Sequence, residues 1–431
     1  MAMRSGTRRE KEMSPRVRTW QSDPRATAIP RRTALLAGAA LPLGLMIGKT
    51  ASATVRKSAP SPRLTLPPST GSHRLGTTSL YLIDPSRPDA WVPNQRAQVM
   101  IQLWYPAEAV DGYPCAPYMP TSAGRAWEKI LDLPSLNLPI TEGHLGAPVR
   151  RRDGGWPVVL YSHSLGGERS ETTSLVTDLA SRGYVVVTID HIHDADVVEL
   201  PDGSLQFCAV PPPTVDKDTP TQTKEIVSRV ADVRFVLDQL AVINRGGNPG
   251  HEQWPPPRGL RGALDLGRVG MFGQSDGGST TAHAMNADAR IKVGVSLDGT
   301  LWTPQAVEAG PGRPLLLFGR QDLDAFEAST WAAFWKTHRG PGLQLNLIGS
   351  THHTFTDFAP LVPQVALIIG EPKSWVIEEI GTINGPRAVT VQRAYIGAYF
   401  DRYLRHRDSP LLAGPSPRYP EVRFAPQDRG R

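Results

Sequence analysis

Residues 269–278 read VGMFGQSDGG, and few folds can accommodate such a stretch. Val269, Gly270, Met271 and Phe272 form a short run of the kind a buried strand carries. Gly273-Gln274-Ser275-Asp276-Gly277 then sets glycines two positions before and two after a serine, and the residues through 285 continue in a helical pattern. A serine at the tip of a sharp strand-to-helix turn needs neighbouring backbones to pass close by, and glycines remove the side chains that would clash. The Ser275 hydroxyl then stands clear of the sheet edge. Below it lies a helix N-terminus, whose partial positive charge favours developing negative charge. Asp276 in the first helical turn suits the same dipole. With 40 glycines in the chain, a glycine-rich turn holding an idle serine is the plain alternative. The strand before the turn and the helix after it single this one out.

The chain has 431 residues, of which 40% are hydrophobic and 20% charged, a globular balance. Its net charge of +6 invites an anionic partner, but the distribution argues otherwise. Residues 1–53 hold ten Lys/Arg and three Asp/Glu, which leaves 37 against 38 in the remainder. The basic excess belongs to the leader, and nucleic-acid binding by the body is not supported. That leader has a targeting pattern. Pro30-Arg31-Arg32-Thr33 opens an apolar run at residues 34–48, and Ala51-Ser52-Ala53 follows as a cleavage-site pattern. The run is short of the ~20 residues that span a bilayer as a helix. The paired arginines point to export of the folded protein by the twin-arginine (Tat) route, hence to a secreted protein.

Four segments follow from this reading: 1–53 a Tat-type signal peptide, 54–76 a disordered linker, 77–408 one catalytic domain, and 409–431 a C-terminal tail. Within the domain, 77–82 and 98–105 read as an antiparallel start to a sheet. Residues 157–162 and 184–190 are continuous apolar runs around a helix, a βαβ unit with strands buried on both faces. Residues 192–221 are irregular, a length that suits a lid or binding loop. Residues 223–243 place Ile226, Val227, Val230, Val233, Val236, Leu237 and Leu240 on one helix face. Strands at 291–299, 314–320 and 343–348 and a closing helix at 389–404 complete a mostly parallel sheet with helices on both faces.

Acyl transfer from serine needs a base for the hydroxyl proton, an acid to orient that base, and donors for the oxyanion. The order Ser, Asp, His along the chain is that of the α/β-hydrolase fold. Ser275, then Asp298, Asp322 or Asp324, then His352 or His353 supply it, each at the carboxyl end of an expected strand. Asp276 N–H supplies one oxyanion donor, and His163-Ser164-Leu165-Gly166-Gly167 the second, from Leu165 N–H.

At this point the chain resembles the platelet-activating factor acetylhydrolase family, the plasma and intracellular isoform II group, in a bacterial secreted form. The resemblance rests on residues 162–166 (SHSLG), 273–278 (GQSDGG), 294–298 (GVSLD) and 349–358 (GSTHHTFTDF), with 116–120 (APYMP) in support, and covers roughly 75–405. It implies Ser275 as nucleophile, His352 as base, Asp298 as acid, and Leu165 and Asp276 as oxyanion donors. Gln274 departs from it, since relatives often carry His there. Cutinases take the acid one strand later, which would select Asp322 or Asp324.

The implied activity is a serine carboxylic ester hydrolase acting on short-acyl lipid esters, with no cofactor and a transient contact with a lipid surface. A broader lipase or cutinase-like esterase is the nearer rival, and a non-catalytic binding protein of the same fold the farther one. Asp190, His191, His193, Asp194 and Asp196 contain metal-ligand residue types, but a polar loop at a strand end accounts for them. Cys115 and Cys208 are the only cysteines, and an exported protein permits them to pair. The cutinase pair near the C-terminus has no counterpart after Cys208.

Overall fold

The computed structural model describes residues 62–211, 219–250, 255–302 and 312–427; the expected signal peptide lies outside them. The described chain opens with β1 (Leu75–Pro88) and β2 (Arg96–Pro106), followed by β3 (Cys115–Pro117), α1 (Thr121–Ile130) and β4 (Ile140–Leu145). Then come β5 (Trp156–Ser162), α2 (Thr173–Ser181), β6 (Val185–His191), β7 (Val197–Glu199), β8 (Leu205–Phe207) and α3 (Thr219–Asn244). The elbow strand β9 (Leu264–Gln274) leads into α4 (Asp276–Ala287), then β10 (Ile291–Leu297), β11 (Leu315–Arg320), α5 (Ala325–Thr337) and β12 (Gly342–Leu347). A 3-10 turn (His352–Phe355), α6 (Phe358–Ile369), α7 (Lys373–Ile380), α8 (Gly385–Arg405) and β13 (Val422–Phe424) close it.

Eleven strands form one sheet in the order β13-β12-β11-β10-β9-β5-β6-β2-β1-β4-β3. The strands from β12 to β6 in that order are mutually parallel, and β2 joins β6 antiparallel. The fold is the α/β-hydrolase fold expected from the strand pattern. Side chains alternate across the sheet with period two. Val158 and Leu160 of β5, Val185, Val187 and Ile189 of β6, and Met271 of β9 face α3, α4 and α5. Val159, Tyr161, Val186 and Phe272 face α2 and α8. Both faces are covered, which is why these strands carry unbroken apolar runs rather than alternation.

Three expectations change. Residues 62–74, expected in a linker, lie as a strap against the body. Leu64 is buried beside Trp127, Leu361 and Val365, and Thr70 and Ser69 N–H bond Asp178 and Glu142. The C-terminal tail returns to the sheet, where β13 pairs with β12. The irregular stretch after β6 contains a β7–β8 hairpin, and α3 begins at Thr219. On α3 the expected face packs on the body, with Ile226, Val233, Val236, Leu237 and Leu240 buried; Val227 departs from it at 64% exposed, and Arg229 is fully buried.

Arg393 on α8 fastens the strap. Its guanidinium donates to Pro67 O (2.8 Å), Pro68 O (2.7 Å) and Ser174 O (2.8 Å). Replacing it with methionine leaves three carbonyls without their donor. Arg393→Met is expected to lower the free energy of unfolding by about 3 kcal/mol in chemical denaturation, each stranded group costing about 1–3 kcal/mol.

Candidate active site

The turn after β9 is as tight as its glycines require. A Cβ on Gly277 would sit 2.0 Å from Ser162 O, and one on Gly273 2.2 Å from the Gly277 carbonyl carbon. Ser275 occupies the tip with φ 54° and ψ −119°, a region that costs a non-glycine residue about 1–3 kcal/mol and persists where its surroundings hold it. Those surroundings are explicit. Ser275 N–H donates to Leu297 O at 2.9 Å, and Ser275 O accepts from Gly278 and Ser279 N–H at 2.9 and 3.1 Å.

Asp298 follows β10 and also has positive φ, 49°. Its carboxylate is buried and fully occupied. Oδ1 accepts from Arg320 N–H (2.7 Å), and Oδ2 accepts from Arg320 Nη1 (2.6 Å) and from His352 Nδ1 (2.6 Å). Burial works against the charged carboxylate, but the His352 hydrogen bond and the Arg320 charge outweigh it and hold the pKa below the usual range. Arg320 is itself held by Glu327 of α5, and Trp331 Nε1 donates to Gly299 O (2.8 Å), fixing the backbone just beyond Asp298.

His352 opens the 3-10 turn after β12, and about a third of its side chain is accessible. Burial disfavours the imidazolium, yet the Asp298 hydrogen bond and charge prevail and raise the ring's pKa above its ordinary value. With Nδ1–H directed at Asp298, Nε2 carries the lone pair. Among the described residues that nitrogen meets Gln274 Nε2 at 3.2 Å, and the Gln274 amide also donates to His352 O at 3.3 Å. The ring therefore rests on Gln274, beside Ser275. Sequence reasoning noted Gln274 as a departure but gave it no part in the site.

Facing the turn is the loop after β5. Ser164 N–H and Oγ both donate to Glu171 (2.7 Å each), and Glu171 also accepts from Tyr161 Oη (2.5 Å). Arg229 of α3 donates to His163 O and Ser164 O. Among the described residues neither Leu165 N–H nor Asp276 N–H has a protein acceptor. The Asp276 carboxylate accepts from Trp302 Nε1 at 2.6 Å, and burial raises its pKa. Neither Glu171 nor Arg229 was singled out from the sequence. Both sit among residues that read as ordinary helix surface.

The other candidates lie apart. Asp324 caps α5, accepting from Phe326 and Glu327 N–H at 2.8 Å, and Asp322 is exposed. His353 turns to Glu379 at 3.3 Å. Asp190 pairs with Arg169, His191 with Asp232, His193 with Asp89 and Asp194 with Arg229. No three such groups converge on a metal position among the described residues. Cys115 and Cys208 are both free thiols.

Comparison with known proteins bears on the family and the fold. The family model described as platelet-activating factor acetylhydrolase, isoform II, matches residues 59–374. The protein named "Probable 1-alkyl-2-acetylglycerophosphocholine esterase" of Arthroderma benhamiae is 29% identical over 282 residues, covering 63% of this chain and 66% of that protein. The platelet-activating factor acetylhydrolase of Canis lupus familiaris is 23% identical over 330 residues, covering 72% and 70%. The chain thus spans about two thirds of the length of these curated relatives. The solved ferulic acid esterase of Streptomyces cinnamoneus is 32% identical with a TM-score of 0.71, over 85% of this chain and 99% of that one.

The hydrogen bonds at His352 make its titration diagnostic. Asp298→Asn removes the group that favours the charged ring and leaves burial and the Arg320 charge opposing it, so the His352 pKa should fall below its ordinary value. Gln274→Met removes a donor to the neutral ring's lone pair, so the pKa should rise further. Imidazole titration by NMR of the two variants should move in opposite directions.

Proposed function

The chain belongs to the platelet-activating factor acetylhydrolase, isoform II family, a family of carboxylic ester hydrolases, and from that premise we propose that it cleaves short-acyl lipid esters through an acyl-enzyme on Ser275. Ser275 Oγ attacks the acyl carbon as its proton passes to His352 Nε2. The acyl oxygen, now an anion, takes hydrogen bonds from Leu165 N–H and Asp276 N–H. His352 returns the proton to the leaving alcohol, and water, deprotonated by the same nitrogen, releases the acid. Asp298 holds the ring in the required tautomer and stabilises the imidazolium. No cofactor enters these steps.

The observation that carries this reading is the 2.6 Å contact between His352 Nδ1 and Asp298, with Ser275 held at positive φ on the neighbouring strand end. For Ser275 to react, the ring must exchange Gln274 for the serine hydroxyl, and catalytic hydrogen bonds commonly tighten only when substrate binds. A broader esterase is the second reading. It is favoured by the ferulic acid esterase likeness together with Trp302 and Phe326, whose rings pack 5.5 Å apart beside Asp276. The leader at residues 1–53 supports Tat-dependent secretion, and the lipid reading supports a transient contact with a lipid surface.

Ser275→Ala should lose ester hydrolysis by on the order of 10⁴-fold or more while keeping the wild-type melting transition. Asp298→Asn should lose on the order of 10⁴-fold in kcat, whereas Asp322→Asn and Asp324→Asn should stay near wild type. Turnover is measured on a series of p-nitrophenyl esters, acetyl-phospholipids and feruloyl esters. Wild-type turnover in Ser275→Ala overturns the mechanism, and a preference for feruloyl over acetyl esters selects the second reading. For export, Arg31→Lys with Arg32→Lys should keep the protein inside the cell, and the secreted wild type should begin near Thr54 by mass spectrometry.

A further inference from the structure

We propose that Arg229 is the positioning residue that sets the direction of the Ser164–Leu165 peptide, and with it whether an oxyanion meets Leu165 N–H. The inference rests on the ester-hydrolase reading above.

Arg229 lies on α3 with its side chain fully enclosed. Nε and Nη2 hold Asp194 in a two-point pair, and Nη2 lies 3.0 Å from Glu225 Oε1. The remaining donor capacity goes to backbone: Nη1 to His163 O, and Nη2 to Ser164 O at 3.1 Å. In a trans peptide the C=O and N–H lie in one plane and point in opposite directions. Ser164 O points inward at the guanidinium, so Leu165 N–H, the other end of that plane, points outward. The preceding plane is held at both ends as well, with His163 O on Arg229 and Ser164 N–H on Glu171 at 2.7 Å. Two consecutive peptides are thus fixed, a guanidinium on their carbonyls and a carboxylate on the first N–H.

This arrangement decides which donor is free. Ser164 N–H is consumed, and Leu165 N–H is left. Ser164 O also accepts from His163 Nδ1 at 2.6 Å, so without the guanidinium His163 O loses its donor and Ser164 O keeps that ring alone, which leaves the Ser164–Leu165 plane held at a single point and able to turn. A turned plane withdraws the N–H and offers a carbonyl oxygen to an anion. Gly166 (φ 71°) and Gly167 follow immediately, so the backbone beyond the plane resists little. Lysine does not replace arginine here, because a single ammonium cannot hold Asp194 and two separated carbonyls at once.

The test separates oxyanion stabilisation from folding and from the base. Full-length wild type and Arg229→Lys are compared for kcat and KM on p-nitrophenyl acetate. Inhibition is measured with a trifluoromethyl ketone, to which Ser275 Oγ adds so that the carbonyl becomes an oxyanion and the serine proton moves to His352. An ether of matched size reports ground-state binding, and thermal melts report folding. In Arg229→Lys, kcat should fall and the inhibition constant should rise together by on the order of 10²-fold, with KM and ether binding within about threefold. The acid limb of the pH–rate profile, which follows His352, should not move. A purely structural role would instead lower the folded fraction and leave ketone affinity per folded molecule intact.

Folded Arg229→Lys with kcat and ketone affinity within about threefold of wild type overturns the proposal. If that variant does not fold, Asp194→Asn decides. Loosening the guanidinium should cost on the order of tenfold in both quantities, and no change in either overturns the proposal. Wild type that neither hydrolyses the ester nor binds the ketone would defeat the ester-hydrolase reading itself.

Discussion

A carboxylate sealed from water is costly unless donors surround it, and Asp298 shows what a fold builds around one. Arg320 supplies two hydrogen bonds and a full charge, and His352 supplies a third bond. Because Arg320 already neutralises the charge, the imidazole need not be protonated to sit there, and its neutral tautomer is the one with Nε2 free. Arg320 continues to Glu327, whose carboxylate also accepts from Asp324 N–H at the start of α5. Sheet, helix cap and ring orientation are joined through one guanidinium. The strand that a cutinase-like reading would use for its acid here ends in the cation that holds the acid of the strand before.

The same economy appears on the other side of the turn. The loop after β5 is shaped by side chains that never face a substrate, Glu171 from below one peptide and Arg229 from behind two carbonyls. Buried charges that would be expensive singly are grouped, with Asp194, Glu225 and Arg229 sharing one enclosed space. Such clusters impose directions on backbone dipoles that short loops cannot choose for themselves. They also separate the general chemistry from substrate choice. The matched proteins are named for quite different esters, and the aromatic pair of Trp302 and Phe326 lies beside the turn, with Trp302 Nε1 on the Asp276 carboxylate.

The central strands were legible because burial on both faces forces unbroken apolar runs. Residues 157–162 and 184–190 match β5 and β6 to within a residue, and 291–299 contains β10. The serine turn was legible because close backbone approach permits only glycine at Gly273 and Gly277. What escaped depends on partners far along the chain. Arg393 meets Pro68 across 325 positions, and β13 finds β12 only after the closing helix. On α3 hydrophobic periodicity pointed to Val227, which is solvated, and passed over Arg229, which is enclosed. Arg229 lies in a buried ion cluster, and charge of that kind leaves no apolar signature. Gln274 escaped for another reason: its role lies in which nitrogen it touches, and spacing says nothing of that.

The strap at residues 62–74 has a consequence for proteolysis. Pro62 and Arg63, the first described residues, are exposed, and Leu64 is the first buried side chain among the described residues. A cut beyond Leu64 takes an apolar plug out from among Trp127, Leu361 and Val365 and opens α1 and α6 to water. The edge of safe trimming is therefore a packing boundary, set by where the first buried side chain falls, and a protease working inward from the N-terminus meets folded resistance there.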